Sequence, residues 1–467
     1  MHKQQLHNQQ QTSSEFIYKN YMKIKKLYRY TFLTLFTFMV IFNGGYSNFS
    51  IQLNSIGISL LFLFLLREKN YSKHIQKNFI QNKIAIYSFL VFLIFLIFQI
   101  LPLPVNFVQF ASPIKYNLLI DMEFEHNFTS ISLDPSNSFF NFLNYFSLFL
   151  YLIIFKSIFY KTSHVMNFYY FLTLLGAVTS SVAVYLYLIG NPNFLFINNL
   201  SYKGSATGFF INRTVFSCFL VLCLFSGIEY LKNLEIFKND TINNLFKKIY
   251  IRVFILLITI GIITSFSRLG NFLFISLIII YLVKSLLFDE KKNKLFLYSL
   301  LIIILFDILI MGYYFGSEKL LARYSFLADD VSGYIETSTD NSLSRSNLSY
   351  FALREFQNFI LFGYGAGAFE YLFNIRYENL SYHYTIHAHS DLAEFLGEFG
   401  LIGFSTIGTS IFFLFLKNKL LYFKNLLLLY FMSLILLFDF SLHVPIIQFT
   451  FVILLSISLK NKKLINK

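Results

Sequence analysis

The sequence predicts an all-α polytopic membrane protein with about twelve transmembrane helices. Hydrophobic residues make up 56% of its 467 residues and charged residues only 13%, which is too apolar for an ordinary soluble domain. Apolar runs near the ~20 residues that cross a bilayer recur along most of the chain. The basic residues concentrate in alternate linkers between these runs. The formal charge of +14 therefore reflects membrane orientation and does not indicate a nucleic-acid partner.

The apolar runs divide the chain into twelve predicted spans. Only a few polar residues separate the seventh span from the eighth, and only a few separate the last two spans. The predicted spans are 28–47, 51–66, 83–101, 139–160, 167–189, 208–230, 250–266, 269–287, 295–315, 391–416, 420–438 and 440–459.

The distribution of Lys and Arg predicts the orientation of these spans. The segments on the side of both termini hold 29 of the 38 basic residues, and an excess of positive charge marks the cytoplasmic side. We therefore predict that both termini are cytoplasmic. The predicted domains are a disordered cytoplasmic tail (1–27), transmembrane helices one to nine (28–315), a large outer loop (316–390), helices ten to twelve (391–459) and a cytoplasmic tail (460–467).

The stretch from His387 to Gly403 combines ionisable and small residues where the outer loop meets the tenth span. It reads H-A-H-S-D-L-A-E-F-L-G-E-F-G-L-I-G. Ionisable side chains at the edge of a membrane are costly to keep, so they indicate a functional site. The alternative is an interfacial histidine followed by a capped helix. At 100° per residue, one face of a helix would carry His389, Ala393, Leu396, Gly400 and Gly403. A separate stripe on the same helix would carry Asp391, Glu394 and Glu398.

A metal site is the second interpretation of this stretch. His387, His389 and Asp391 resemble an H-x-H metal motif, but zinc requires three or four ligands and no cysteine lies on the outer side. We therefore predict no metal and no cofactor. The sequence also contains no P-loop, no dinucleotide-binding glycine motif after a strand and no G-x-S-x-G nucleophile motif.

Arginine is concentrated on the outer side, although the chain otherwise prefers lysine. The planar guanidinium binds phosphate or carboxylate with two hydrogen bonds, so these arginines indicate an anionic ligand. Arg213 and Arg268 carry most weight, because both lie close to span ends without a long polar loop. The alternative is a set of helix-end anchors paired with outer acids. The outer arginines are Arg213, Arg268, Arg323, Arg345, Arg354 and Arg376.

Four motifs in order resemble those of the O-antigen ligase superfamily, over about 200–445. His389-Ser390, nine residues, then Gly400 and Gly403 matches the signature of His, a small polar residue, nine residues and G-x-x-G. G-F-F-I-N-R-T-V-F (208–216) is similar to the family's segment around an arginine, with Thr214 where Asn or His is commoner. S-F-S-R (265–268) and L-F-G-Y-G-A-G-A-F (361–369) resemble two further motifs.

The resemblance implies an inverting, metal-independent glycosyltransferase of the bacterial inner membrane. Such enzymes move a glycan from undecaprenyl diphosphate to an acceptor hydroxyl on the periplasmic side, where the 316–390 loop would then lie. By this resemblance, Arg213 and Arg268 stabilise the diphosphate leaving group, and His389 acts as the general base or positions the hydroxyl. The further substrate-binding candidates are Arg354, His387 and Asp391.

The resemblance leaves the acceptor open. A ligase that uses lipid A core is the first hypothesis, and a polysaccharide polymerase of the same superfamily is the second. Protein glycosylation also occurs in related enzymes. A transporter of lipid-linked substrates is the hypothesis from another class, but transporters show internal repeats and midplane helix breaks, and the sequence shows neither clearly. The predicted partners are a lipid-linked glycan donor, an acceptor and membrane lipids.

Overall fold

The structure is a computed structural model, and it is almost entirely helical within the residues that it describes. These residues are 26–121, 123, 127–195, 202–236, 242–288, 298–299, 301–303, 305, 345–377, 385–417 and 422–457. The helices are α1 (26–41), α2 (Asn48–Arg67), α3 (Lys69–Gln81), α4 (Lys83–Ile100), α5 (Val105–Ala111), α6 (Pro113–Asp121), α7 (Pro135–Ile158), α8 (Thr162–Leu188), α9 (Arg213–Ile236), α10 (Ile242–Thr264), α11 (Arg268–Leu287), α12 (Arg345–Phe356), α13 (Phe369–Arg376), α14 (Asp391–Lys417), α15 (Phe423–Phe438) and α16 (Pro445–Ser456).

Strand structure is minimal in the described part of the chain. Two-residue strands, β1 (Leu103–Pro104) and β2 (Phe128–Thr129), pair antiparallel, with Leu103 opposite Thr129. Two short 3-10 turns, Asn43–Gly45 and Ser441–His443, precede α2 and α16. All other regular structure is α-helix, as the sequence predicted.

Seven of the described helices are long and apolar enough to cross a membrane, and α15 and α16 are shorter apolar helices. The protein is therefore a multi-pass membrane protein. The described helices also occupy eleven of the twelve predicted spans. Most of the ninth, 295–315, lies outside the described residues. The seven long helices are α2, α4, α7, α8, α9, α11 and α14.

Helix α14 differs from the sequence prediction, because Gly400 interrupts it with φ 59° and ψ −173°. His389 also precedes the helix and has φ 57°. The predicted helical face from His389 through Gly400 to Gly403 is therefore wrong. The sequence showed helical spacing, but spacing alone does not reveal where a neighbouring backbone breaks the helix.

The break at Gly400 makes room for the glycine-rich turn around 361–367. A Cβ at Gly400 would lie 2.4 Å from the Leu361 carbonyl oxygen, and one at Gly363 would lie 2.2 Å from the Glu398 carbonyl oxygen. Tyr364 N donates to Gly397 O at 2.9 Å. The two glycine motifs therefore pack backbone against backbone, and the turn satisfies carbonyl groups that the helix break leaves open.

Residues 350–362 have the residue pattern of an amphipathic helix suited to a membrane surface, and the helix observed there, α12, begins and ends earlier in the chain. Rather than lying only on a membrane surface, α12 packs against α14 and buries Leu348, Phe351 and Ala352. Its outer face still exposes Tyr350 and Leu353. This packing brings the first turn of α12 to the segment that precedes α14.

Candidate active site

The segment 387–390 is held in place by hydrogen bonds from three directions. Ser349 of α12 donates its hydroxyl to Ala388 O at 2.9 Å, and Ala388 N donates to Glu394 Oε2 at 2.9 Å. Asp391 N donates to Asp439 O at 2.9 Å. His389 adopts a left-handed backbone conformation here. A non-glycine residue adopts it at a cost that is often tolerated at functional sites.

His387 is buried and uses both ring nitrogens. Its Nδ1 lies 2.9 Å from Glu394 Oε1, and its Nε2 lies 2.9 Å from the Tyr46 hydroxyl. The ring stacks on Phe440, with centroids 4.5 Å apart. His387 is therefore tied to α14 and to the chain before α2, and its orientation is fixed on both sides.

A second histidine, His443, lies among the three carboxylates of the predicted acidic stripe. His443 Nδ1 pairs with Asp391, while Nε2 lies 3.4 Å from Glu394 Oε1 and 3.5 Å from Glu398 Oε2. All four side chains are at most 6% exposed. Buried carboxylates are stable only when paired. We call these four residues the His443 cluster, and we expect an imidazolium at its centre.

His389 lies beside this cluster in a different electrostatic environment. Burial, as the larger cause, and the Arg345 guanidinium together lower the pKa of His389 to about 4. Its Nδ1 is buried and has no hydrogen-bond partner among the described residues. The ring packs edge-on against Phe440, 5.3 Å between centroids. His389 is therefore neutral at pH 7 and keeps one ring nitrogen available to a ligand.

The donors that converge differ from those of the H-x-H interpretation. Ligand atoms of His387, Glu394 and His443 lie within 4.8 Å of one another. Asp391, a ligand in the H-x-H interpretation, pairs with His443 instead. The rings of His387 and His389 both contact Phe440. These three side chains could hold a metal ion. Their present hydrogen bonds already occupy both nitrogens of His387, so a metal would have to replace them.

Arg213 and Arg268 are the first residues of α9 and α11. The two helix N-termini pack closely, since a Cβ at Gly270 would lie 2.0 Å from Ser217 Oγ. The Arg213 guanidinium lies over the Tyr202 ring, 5.4 Å from its centroid. Helix N-termini carry a partial positive charge, so two arginines and two helix ends combine in one electropositive region.

The turn after α1 connects this region to His387. Asn43 Oδ1 accepts from Ile211 N at 2.9 Å, and Tyr46, three residues later, bonds to His387. Three residues span at most about 10 Å. Helix α9 also packs on the Ser441–His443 turn. The arginines and the histidines therefore lie at the same end of the helix bundle.

Arg354 is not brought to this cluster. It lies nine residues after Arg345 on α12, about 13 Å further along the helix. Its side chain is 53% exposed, 3.8 Å from Glu355 Oε1, and its guanidinium lies over Phe351. Arg345, which the sequence analysis counted but did not favour, is the α12 arginine whose charge acts on His389.

Sequence reasoning missed several residues at the site. The sequence places His443 only in a small polar group with Asp439 at an outer helix end, and it gives no reason to single out Tyr46. A row of asparagines on α7 was also missed, although its spacing of four and three residues within an aromatic segment was a usable signal. These asparagines are Asn137, Asn141 and Asn144.

A comparison with known protein families finds a match for one part of the chain, which includes many residues of this site. Residues 253–408 match the family model described as O-Antigen ligase, about a third of the chain. This part of the chain is therefore similar to the O-antigen ligase family, and we call it the matched region. No curated protein matches the chain. The match confirms the resemblance to the O-antigen ligase superfamily, whose members are membrane glycosyltransferases of the ligase and polymerase type acting on lipid-linked glycans.

The matched region contains much of the candidate site, but not all of it. Arg268, Arg345 and the His387–Gly403 stretch lie inside the matched residues, whereas Arg213 and His443 lie outside them. The three carboxylates of the His443 cluster therefore lie in the matched region, whereas His443, their common partner, lies outside it. The site depends on α9 and on the turn before α16 as well as on the matched region.

Proposed function

We propose that this protein is a metal-independent, inverting glycosyltransferase of ligase type. It moves a glycan from undecaprenyl diphosphate to a hydroxyl of lipid A core on the periplasmic side of the bacterial inner membrane. The observation that carries the proposal is that a neutral His389 with a free Nδ1 lies in the region that matches the O-antigen ligase family.

The chemistry assigns complementary roles to the two parts of the site. The acceptor hydroxyl donates its hydrogen to His389 Nδ1 and attacks the anomeric carbon opposite the diphosphate. The bond between that carbon and the diphosphate oxygen breaks, and the new charge on the leaving phosphate is stabilised by Arg213 and Arg268. Inversion follows because a single displacement occurs. The proton passes to His389.

The low pKa of His389 is compatible with this role. The free site contains the Arg345 charge, which opposes protonation of the imidazole. An anionic diphosphate bound near it would offset this charge and raise the pKa towards its ordinary value. Substrate binding would thereby make His389 a better base when the hydroxyl must lose its proton.

The direct test is reconstitution of the purified protein with a polyprenyl-diphosphate-linked glycan and no added metal. One reaction contains lipid A core, and another contains only more donor. We expect product on lipid A core. A lengthened lipid-linked glycan without lipid A core would show a polymerase instead, and no transfer in either reaction would contradict the proposal and favour protein glycosylation or transport.

Arg268→Lys is expected to lower kcat by about 10²–10³-fold, which corresponds to about 2–4 kcal/mol of transition-state stabilisation. Lysine keeps the charge but loses the two parallel hydrogen bonds to a phosphate. Arg213→Lys should have a similar effect. The matched control is Arg376→Lys, because Arg376 is held by Glu355 at 3.2 Å. Full activity in Arg268→Lys would contradict phosphate recognition by Arg268.

Arg345→Gln is expected to move the acid limb of the pH profile of kcat/KM upward. In the wild type the limb should lie near pH 4, the pKa of His389, since this profile reports the free enzyme. Removing a nearby positive charge makes protonation easier, so the variant should lose activity at a higher pH. Arg354→Gln, at the other end of α12, should leave the limb in place. Equal shifts in both variants would show a non-specific effect.

A further inference from the structure

A polar cavity of about 200 Å³ opens beside His387 at the same end of the bundle as the candidate active site. His387, Glu394 and His443 form one wall, and Phe440, which stacks on His387, also contacts His389. The cavity is therefore separate from the His389 ring but close to it. The proposed reaction gives this cavity no role.

Amide side chains form a second part of the cavity lining. Asn137, Asn141 and Asn144 lie at i, i+4 and i+7 of α7, so they share one helix face, and Asn48 at the start of α2 adds a fourth amide. Asn144 is 3% exposed. Its Nδ2 donates to Gln448 Oε1 at 3.0 Å, but its buried Oδ1 has no hydrogen-bond partner among the described residues.

A buried amide oxygen without a partner is costly, so this part of the lining is built to receive a hydrogen-bond donor. An apolar lipid chain would leave the amides unsatisfied. The two carboxylates that line the cavity, Glu370 and Glu394, disfavour an anion, and no Lys or Arg is among the lining residues that the structure describes. The two lining histidines, His387 and His443, are both paired with carboxylates.

The occupant should be small, uncharged and rich in groups that both donate and accept hydrogen bonds. The cavity is smaller than the ~300–1,000 Å³ of pockets that enclose drug-sized ligands. A sugar ring fits this description, since its hydroxyl groups can donate to amide oxygens and accept from amide nitrogens.

We propose that this cavity, lined by the asparagine face of α7 and the His387–Glu394 pair, binds one uncharged sugar ring of the glycan substrate and selects against acidic sugars. The proposal rests on the proposed glycan transfer and names the class of sugar that the site accepts. The recognition comes from the amides and the charge selection from Glu370 and Glu394.

Cysteine protection tests the binding independently of catalysis. The two native cysteines, Cys218 and Cys223, are buried, so a thiol reagent applied to Asn141→Cys in detergent should label the new cysteine. The probes are polyprenyl diphosphate alone, the same carrier with a neutral N-acetylhexosamine disaccharide, and the carrier with a disaccharide ending in a uronic acid. All three share the lipid and the diphosphate, so differences between them report on the sugar.

We expect the neutral probe at about ten times its Kd to slow labelling by about tenfold, and the other two probes to slow it much less. Asn78→Cys, which lines a small cavity near the opposite end of α7, should show no protection by any probe. If Asn141→Cys does not give a monodisperse protein, Asn137→Cys replaces it. Glycan transfer by the wild type is measured with the same donors.

The outcomes separate the two proposals. Protection by the neutral probe without any transfer would support the sugar site and reject the transferase. Transfer without protection by either sugar probe would reject the sugar site and leave the transferase standing. Equal protection by the neutral and the acidic probe would overturn the selection against acidic sugars.

Discussion

Replacing His389 by alanine is expected to lower kcat for glycan transfer by about 10²–10⁴-fold, the usual contribution of a general base. His389 combines a free Nδ1 with a pKa held at about 4 by burial and by the Arg345 charge. Alanine removes the acceptor of the hydroxyl proton and leaves the carbohydrate and diphosphate contacts in place. KM should therefore change much less than kcat.

The measurement is transfer by reconstituted protein at saturating donor, with wild type and variant matched in amount. His164→Ala is the matched control, because His164 lies at the start of α8, and its Nδ1 contacts Ile158 O at 3.3 Å. It should transfer glycan as the wild type does. A His389→Ala protein with unchanged kcat would remove His389 from the mechanism.

Replacing His443 by alanine is expected to lower the free energy of unfolding by about 3–5 kcal/mol, the cost of leaving buried charge without its partner. Asp391, Glu394 and Glu398 would then face one another in the protein interior without the imidazole. The aromatic stacking of Phe395 on His443, 4.1 Å between centroids, would be lost as well.

Unfolding can be followed in detergent by the labelling of Cys218 and Cys223, which are buried in the folded protein. A second substitution tests whether the losses of stability in the single variants are independent. Asp391→Asn removes one of the uncompensated carboxylates, so the double variant should lose less stability than the sum of the single variants. Additive losses would show that the His443 cluster is not an electrostatic unit, and His74→Ala provides a control outside it.

The fold class was predictable because the bilayer restricts the possible structures. Apolar runs of span length must be helical where lipid surrounds them, and the seven long apolar helices of the described residues fall on these runs. The acidic stripe Asp391, Glu394, Glu398 followed from helical spacing in the same way, since all three side chains face His443. The four motifs indicated the superfamily, and the family match to 253–408 confirmed it.

Local spacing did not predict the interruption of α14 or the partner of the acidic stripe. Gly400 breaks the helix because the backbone of 361–363 approaches it, and that contact joins residues about forty positions apart. His443 follows Asp391 by 52 positions, so no helical spacing relates the two.

The sequence alone was enough to predict the membrane-spanning helices, the acidic face of α14 and the motifs of the superfamily, because each is a run or a spacing within one continuous segment of the chain. The tertiary structure alone decided which arginine influences His389, which histidine balances the carboxylates and where the amide-lined cavity lies. Those features depend on how separate helices pack, and packing brings together side chains whose distance along the chain carries no periodic signal.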